Sequence, residues 1–131
     1  MIGHLNIQGT MPGLNDYSGA ERKHRQVAAK MKKEETERVA WAAKSQLPVF
    51  TRPIKLTFVY REKNKKRDKD NIAFAKKFIL DGLVVAGRIP NDTWAWIDGW
   101  AEEFVVDAAD PGITVIINEV KETTNVKARS K

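Results

Sequence analysis

The chain has no cysteine among its 131 residues. Disulfide staples and thiolate metal centres are therefore excluded, and any metal has to be held by oxygen or imidazole ligands. Histidine is nearly absent as well. His4 and His24 are twenty residues apart, do not form a ligand pattern, and read as surface or structural residues. No apolar run approaches the roughly 20 residues that cross a bilayer, and the start, Met1-Ile2-Gly3-His4-Leu5-Asn6, lacks a signal-peptide pattern. The expectation is a cytoplasmic protein with no membrane partner. No Gly-rich loop followed by Lys-Ser/Thr is present to cradle a nucleotide, and no Ser-His-Asp arrangement can be argued.

Charge is plentiful but unevenly placed. The net charge is +6. Residues 61–77 hold eight Lys/Arg against three Asp/Glu, a net of +5, whereas residues 78–120 hold one Arg against eight Asp/Glu, a net of −7. Residues 20–46 carry +4 and residues 121–131 carry +3. Basic blocks around an acidic segment allow a polyanion to bind the blocks and present a phosphate to the carboxylates. With 42% hydrophobic residues the composition is globular, and the length fits a single domain over 1–131, with 121–131 as a flexible basic tail.

The pattern predicts an α+β domain in the order β-α-β-α-β-β, a small mixed sheet packed by two helices. Leu5 to Gln8 alternates as a strand, and a turn-rich segment follows from Gly9 to Asp16. A long helical pattern runs from about Gly19 to Gln46, with a thin apolar stripe of Ala28, Met31, Val39 and Ala42, and reads either as two helices or as one that is mostly solvated. Ile54 to Tyr60 is a clear strand. A second helix should run from Asn71 to Ala86, with Asp70 as N-cap, Gly87 as the C′ residue and Ile72, Ala75, Ile79, Leu83 and Ala86 buried. Strands near Trp94–Val106 and Thr114–Val120 complete the order, with Asp110-Pro111-Gly112 between them. Trp94, Trp96 and Trp100 read as core and strand residues.

Arg67-Asp68-Lys69-Asp70-Asn71 is the most informative segment. In an extended stretch Asp68 and Asp70 share one side. Paired carboxylates with water and phosphate oxygen are what Mg2+ prefers. The plainer reading makes Asp70 a helix cap and Asp68 a solvated charge. Asp92 is a further candidate in its loop, and Asp98, Glu102 and Glu103 are more simply sheet-surface charges. Lys76 and Lys77 are two positions from which an ammonium group can stabilise charge at a phosphate. Arg22, Lys23, Arg25, Arg61, Lys63, Lys65, Lys66, Arg67, Lys69 and Lys76 are the candidate DNA-backbone contacts.

These pieces together resemble the RusA family of Holliday junction resolvases. The likeness rests on Arg67-Asp68-Lys69-Asp70-Asn71, on Lys77 to Gly87 with Asp81 four residues after Lys77, and on Asn91-Asp92. Pro12-Gly13-Leu14-Asn15-Asp16-Tyr17 and Thr114 to Glu119 add weaker support. The resemblance implies a Mg2+-dependent homodimer that cuts four-way DNA junctions, with catalytic aspartates on Asp68, Asp70 and Asp92 and a catalytic lysine on Lys77. The gap from the D-x-D-N segment to the lysine is a few residues longer than in the best-known members, which leaves Lys76 as the alternative. A non-catalytic nucleic-acid-binding module is the rival reading. One tension follows from helix geometry. A helix from Asn71 to Ala86 spans about 24 Å and holds Asp70 away from Asp92. Either the Asp92 loop folds back along the helix, or a second subunit completes the site.

Overall fold

The computed structural model describes residues 2–120. Its order is β1 (Ile2–Gln8), α1 (Leu14–Lys23), α2 (Arg25–Gln46), β2 (Ile54–Glu62), α3 (Lys69–Ala73), α4 (Ala75–Val85), β3 (Ile97–Val106) and β4 (Gly112–Glu119). The α+β class and the mixed sheet are as expected; the first helical segment is two helices, one of its two readings, and the second, expected as one helix, is divided. His24 breaks the first. Its backbone is extended (φ −166°, ψ 131°), and its Nδ1 accepts from the Gln26 amide at 3.1 Å, so it caps α2. Phe74 divides the second by a short discontinuity that keeps αR dihedrals.

The sheet order is β1-β4-β2-β3. β4 lies antiparallel to both β1 and β2, and β3 lies parallel to β2 along its outer side. The parallel pair is what the long α3–α4 crossover permits. Alternation puts Leu5 and Ile7, then Ile54, Leu56, Phe58 and Tyr60, then Val115 and Ile117 on one face, all buried. Against that face α2 and α4 bury Val39, Ala40 and Ala43 with Phe78, Ile79 and Leu83. The expected stripe of Ile72, Ala75, Ile79, Leu83 and Ala86 is buried throughout. In the longer helix Ala28 and Val39 are buried, whereas Met31 and Ala42 are only partly so.

Gly87 ends α4 as its position foretold. Its φ is +69°, its amide donates to the Val84 carbonyl at 2.9 Å, and the Arg88 amide donates to the Leu83 carbonyl at 3.0 Å. That is a Schellman closure, which requires a left-handed residue. The Asp92 loop then leads into β3, which begins at Ile97 rather than at Trp94. The tryptophans depart from expectation for the same reason. Trp94 precedes the strand and is 96% exposed, and Trp100, on the outermost strand, is 50% exposed. The expected flexible tail, residues 121–131, lies outside the described residues.

Candidate active site

The segment before α3 is held by one arginine. Arg67 donates from Nε and a terminal nitrogen to the two carboxylate oxygens of Glu62, at 3.0 and 2.8 Å. Its remaining nitrogen donates to the Met11 carbonyl at 3.0 Å. Glu62 is the last residue of β2 and is buried. A two-pronged charge-assisted pair of this kind fixes direction as well as distance. Arg67 thus ties the loop to the end of β2 and to the turn after β1.

Asp68 follows in extended backbone (φ −69°, ψ 154°) as the N-cap of α3, without a side-chain capping bond. The cap expected at Asp70 therefore falls at Asp68, and Asp70 lies in the first helical turn. Its Oδ1 accepts from the Asn71 amide at 2.9 Å. The premise of an extended D-x-D does not hold, because the helix starts between the two carboxylates. Both are exposed, and among the described residues neither carries an ion pair. At the amino end of a helix the aligned backbone dipoles favour negative charge.

The turn after β1 closes on this point. The Asn15 amide donates to Asn71 Oδ1 at 2.8 Å, across 56 residues of sequence. Gly13 is required there, since a Cβ would lie 2.7 Å from the Asn71 carbonyl oxygen. Its amide donates to Asp16 Oδ2 at 2.8 Å, closing the first turn of α1. The Pro12–Tyr17 segment and the Asp68–Asn71 segment are thus one local structure.

Asp68 and Lys69 line a cleft of about 410 Å³ with Glu62, Asn64, Lys65, Arg67 and the last residues of β3, Phe104, Val105 and Val106. Lys69 Nζ stands 5.4 Å from the centre of the Phe104 ring. Lys63, Lys65 and Lys66 are exposed beside it. Arg22, Lys23 and Arg25 are exposed near the α1–α2 junction.

Three expected contacts are engaged inside the protein. Arg67 is one. Arg61 donates to the Asp110 carbonyl at 2.9 Å, to Asn6 Oδ1 at 3.1 Å and to Thr114 Oγ1. Lys76 donates to Glu102 Oε2 at 2.9 Å and stands 4.9 Å from the Trp100 ring centre. Tyr60 Oη donates to the same Glu102 oxygen at 2.8 Å. Burial, and then the Glu102 carboxylate, push the Tyr60 phenol far above its ordinary value. Glu102 is therefore the acceptor of a partly buried network rather than a simple surface charge. Asp98 is likewise sheltered, its side chain 6% exposed and 3.7 Å from Lys55. Lys77 is more available: its side chain is 57% exposed, and it lies 3.7 Å from Asp81.

Asp92 lies elsewhere. It is exposed and lines one cleft with Asp81, Val84, Asn91 and the α2 lysines Lys32 and Lys33, and another with Leu80, Ile97, Asp98, Gly99 and Trp100. Neither cleft includes Asp68 or Asp70. The loop does fold back, but only as far as Leu80 and Asp81. From Asp68 to Asp81 is roughly 20 Å at the helical rise. Among the described residues, no three His, Asp or Glu side chains gather as a metal site. A single chain thus brings Asp68 and Asp70 together on one short segment and leaves Asp92 apart. Lys32 and Lys33 were not singled out from the sequence; the signal was their spacing ahead of Thr36 and Glu37 on one face of α2.

No protein-family model matches this chain, and no curated protein matches it. Among the described residues, no helix is long and apolar enough to cross a membrane.

Proposed function

We propose that this chain is a Mg2+-dependent endodeoxyribonuclease of the RusA type, which resolves four-way DNA junctions by paired symmetric cuts as a homodimer. The observation that carries the reading is the bond between the Asn15 amide and Asn71 Oδ1. It joins two segments that contribute separately to the resemblance, and it does so beside two exposed carboxylates.

The residues suit the metal. Asp68 and Asp70 offer exposed hard oxygen donors, and Mg2+ uses one or two carboxylates while keeping several waters. Asp92 is the third donor that the reading requires. Bound there, the ion would supply charge neutralisation and an activated water. Lys77 stabilises developing negative charge on the phosphate, and Asp81, one helical turn on, steadies its ammonium. Lys63, Lys65, Lys66 and Lys69 hold DNA backbone, with Arg22, Lys23 and Arg25 as a further basic surface. Arg67 holds the loop that lines the cleft, and Lys76 is bonded to Glu102. A two-fold dimer suits a substrate that takes two symmetric cuts.

A synthetic four-way junction and a matching duplex, each with Mg2+ or EDTA, test the reading. Paired metal-dependent nicks in the junction alone, lost in Asp70→Asn, are expected. The rival, a non-catalytic nucleic-acid-binding module, is favoured by the lack of a three-carboxylate cluster within one chain among the described residues. Binding without cleavage would establish it, and cleavage unchanged in Asp70→Asn would remove Asp70 from the proposed site.

A further inference from the structure

Two tryptophans stand at the surface beside Asp92. Trp94 is 96% exposed and Trp100 50%. Both line one cleft of about 430 Å³, within the size range of small-ligand sites. Leu80 of α4 and Ile97 of β3, both partly buried, line it as well, with Asp92 on the loop side. A single exposed tryptophan needs no explanation. Two of them on one cleft, next to a carboxylate of the proposed site, do.

The backbone presents both rings. The Thr93 carbonyl accepts from the Trp96 amide at 3.0 Å and from the Ile97 amide at 2.9 Å, and the Thr93 hydroxyl donates to Asn91 Oδ1 at 2.5 Å. Trp94 is therefore exposed by a turn that is tied at both ends. Trp100 lies opposite Leu56 of β2 and so shares the sheet face that the helices cover. Since β3 is the outermost strand, α4 covers that ring only in part. Lys76 Nζ stands 4.9 Å from the Trp100 ring centre, so a cation backs the ring.

We propose that this cleft takes an unstacked nucleobase against Trp94 and Trp100, with the sugar-phosphate of that nucleotide left at the mouth beside Asp92. The proposal rests on the nuclease reading for what happens to the phosphate, but the base site stands on the two rings. Charge separates the two kinds of cleft. Lys65, Arg67 and Lys69 line the Asp68 cleft, which suits phosphate. Among the described residues no lysine or arginine lines the Trp94 cleft, and Asp92 would repel a backbone placed inside it. What fits there is the uncharged part of a nucleotide. Every base has a π face, so aromatic platforms hold unpaired strands with little regard to sequence. The substrate class is thereby narrowed to DNA that is single-stranded or locally opened at the point where it meets Asp92.

Two strands of equal length and charge test the base site: oligo-dT, and the same backbone built from abasic sugar-phosphate. EDTA keeps metal-dependent cutting out of the measurement. The parent should bind oligo-dT roughly five- to a hundredfold more tightly, the range for one stacked base. Trp94→Ala should fold as the parent does, since the ring is almost wholly exposed. It should lose most of the preference while binding the abasic strand as before, and Trp94→Phe should keep much of it. Trp41, 78% exposed on α2, supplies the control, and Trp41→Ala should keep the full preference. Equal binding of the two strands by the parent, or a preference that survives Trp94→Ala, would overturn the base site. Junction cleavage is read separately. A parent that prefers oligo-dT through Trp94 but never cuts would remove the nuclease reading and leave the base site in place. A parent that cuts the junction but binds the two strands alike would do the reverse.

Discussion

The two ends of β3 are built differently. At its carboxyl end, charged groups are locked to one another: Arg67 grips Glu62 and the Met11 carbonyl, and the Asn15 amide grips Asn71. At its amino end the Asp92 loop is held more lightly, by its own turn and by the Trp96 carbonyl, which accepts from the Ile54 amide of β2 at 2.9 Å. Asn91 Oδ1 accepts from the Thr93 amide at 3.2 Å and from its hydroxyl at 2.5 Å, and the Thr93 carbonyl accepts from the Trp96 and Ile97 amides. The lesson is that charge in this chain serves two purposes. Some of it holds the frame, while Asp68, Asp70 and Asp92 and several lysines stay exposed at both ends of a strand.

The strongest way to break this division is Arg67→Ala. It strands the buried Glu62 carboxylate and frees the loop before α3. Leaving one member of a buried pair costs about 3 kcal/mol, read as a lower urea midpoint with an unchanged slope. Asp68→Ala should leave the midpoint where it is. Equal losses in the two variants would erase the distinction between frame charge and free charge.

Gly13→Ala is expected to come next. The added Cβ would meet the Asn71 backbone, and overpacking of this kind costs about 1–3 kcal/mol. It should also push Asn71 and Asp70 aside, so any junction cleavage should fall by more than stability alone explains. A loss of stability with full cleavage would show that the turn does not set the position of Asp70.

The Tyr60–Glu102–Lys76 network gives a smaller and pH-dependent effect. The Tyr60 phenol is raised above its ordinary 10.0. The folded chain therefore keeps a proton that the unfolded chain releases near pH 10, and stability falls as pH rises above that value. Below it the term is constant. Tyr60→Phe should lose about 1 kcal/mol at neutral pH and show a shallower fall between about pH 9 and 11 than the parent. Parallel curves for the two proteins would mean that Tyr60 titrates normally.

Much of this was legible in the residues. The stripe from Ile72 to Ala86 has the period of a helix, and its core face follows from that period alone. Gly87 was legible because a left-handed closure needs glycine. The positions of the helix breaks were not, although the thin stripe of the first helical segment allowed two helices. Neither His24 nor Phe74 is a strong breaker, and each break depends on a local bond or a tertiary fit. For the site, the pattern of acids identified the candidate groups, but not where the helix begins. A start at Lys69 turns an extended pair into a cap and a first-turn residue. Nor does sequence show that Arg67, Arg61 and Lys76 are engaged internally, because hydrogen-bond partners 26 to 56 residues away leave no local signal.

The tryptophans give the smallest expected effect and the sharpest local contrast. Trp94 and Trp96 lie two residues apart in one loop, and their residue type predicts the same burial for both. Trp94 is 96% exposed, whereas Trp96 packs partly against the core and bonds back through its amide to Thr93. Trp94→Ala should therefore shift stability by no more than about 0.5 kcal/mol. Trp96→Ala should lose more, on the order of 1–2 kcal/mol for a half-buried aromatic. Urea midpoints of the two variants, taken at a protein concentration where the parent is a monomer, make the comparison.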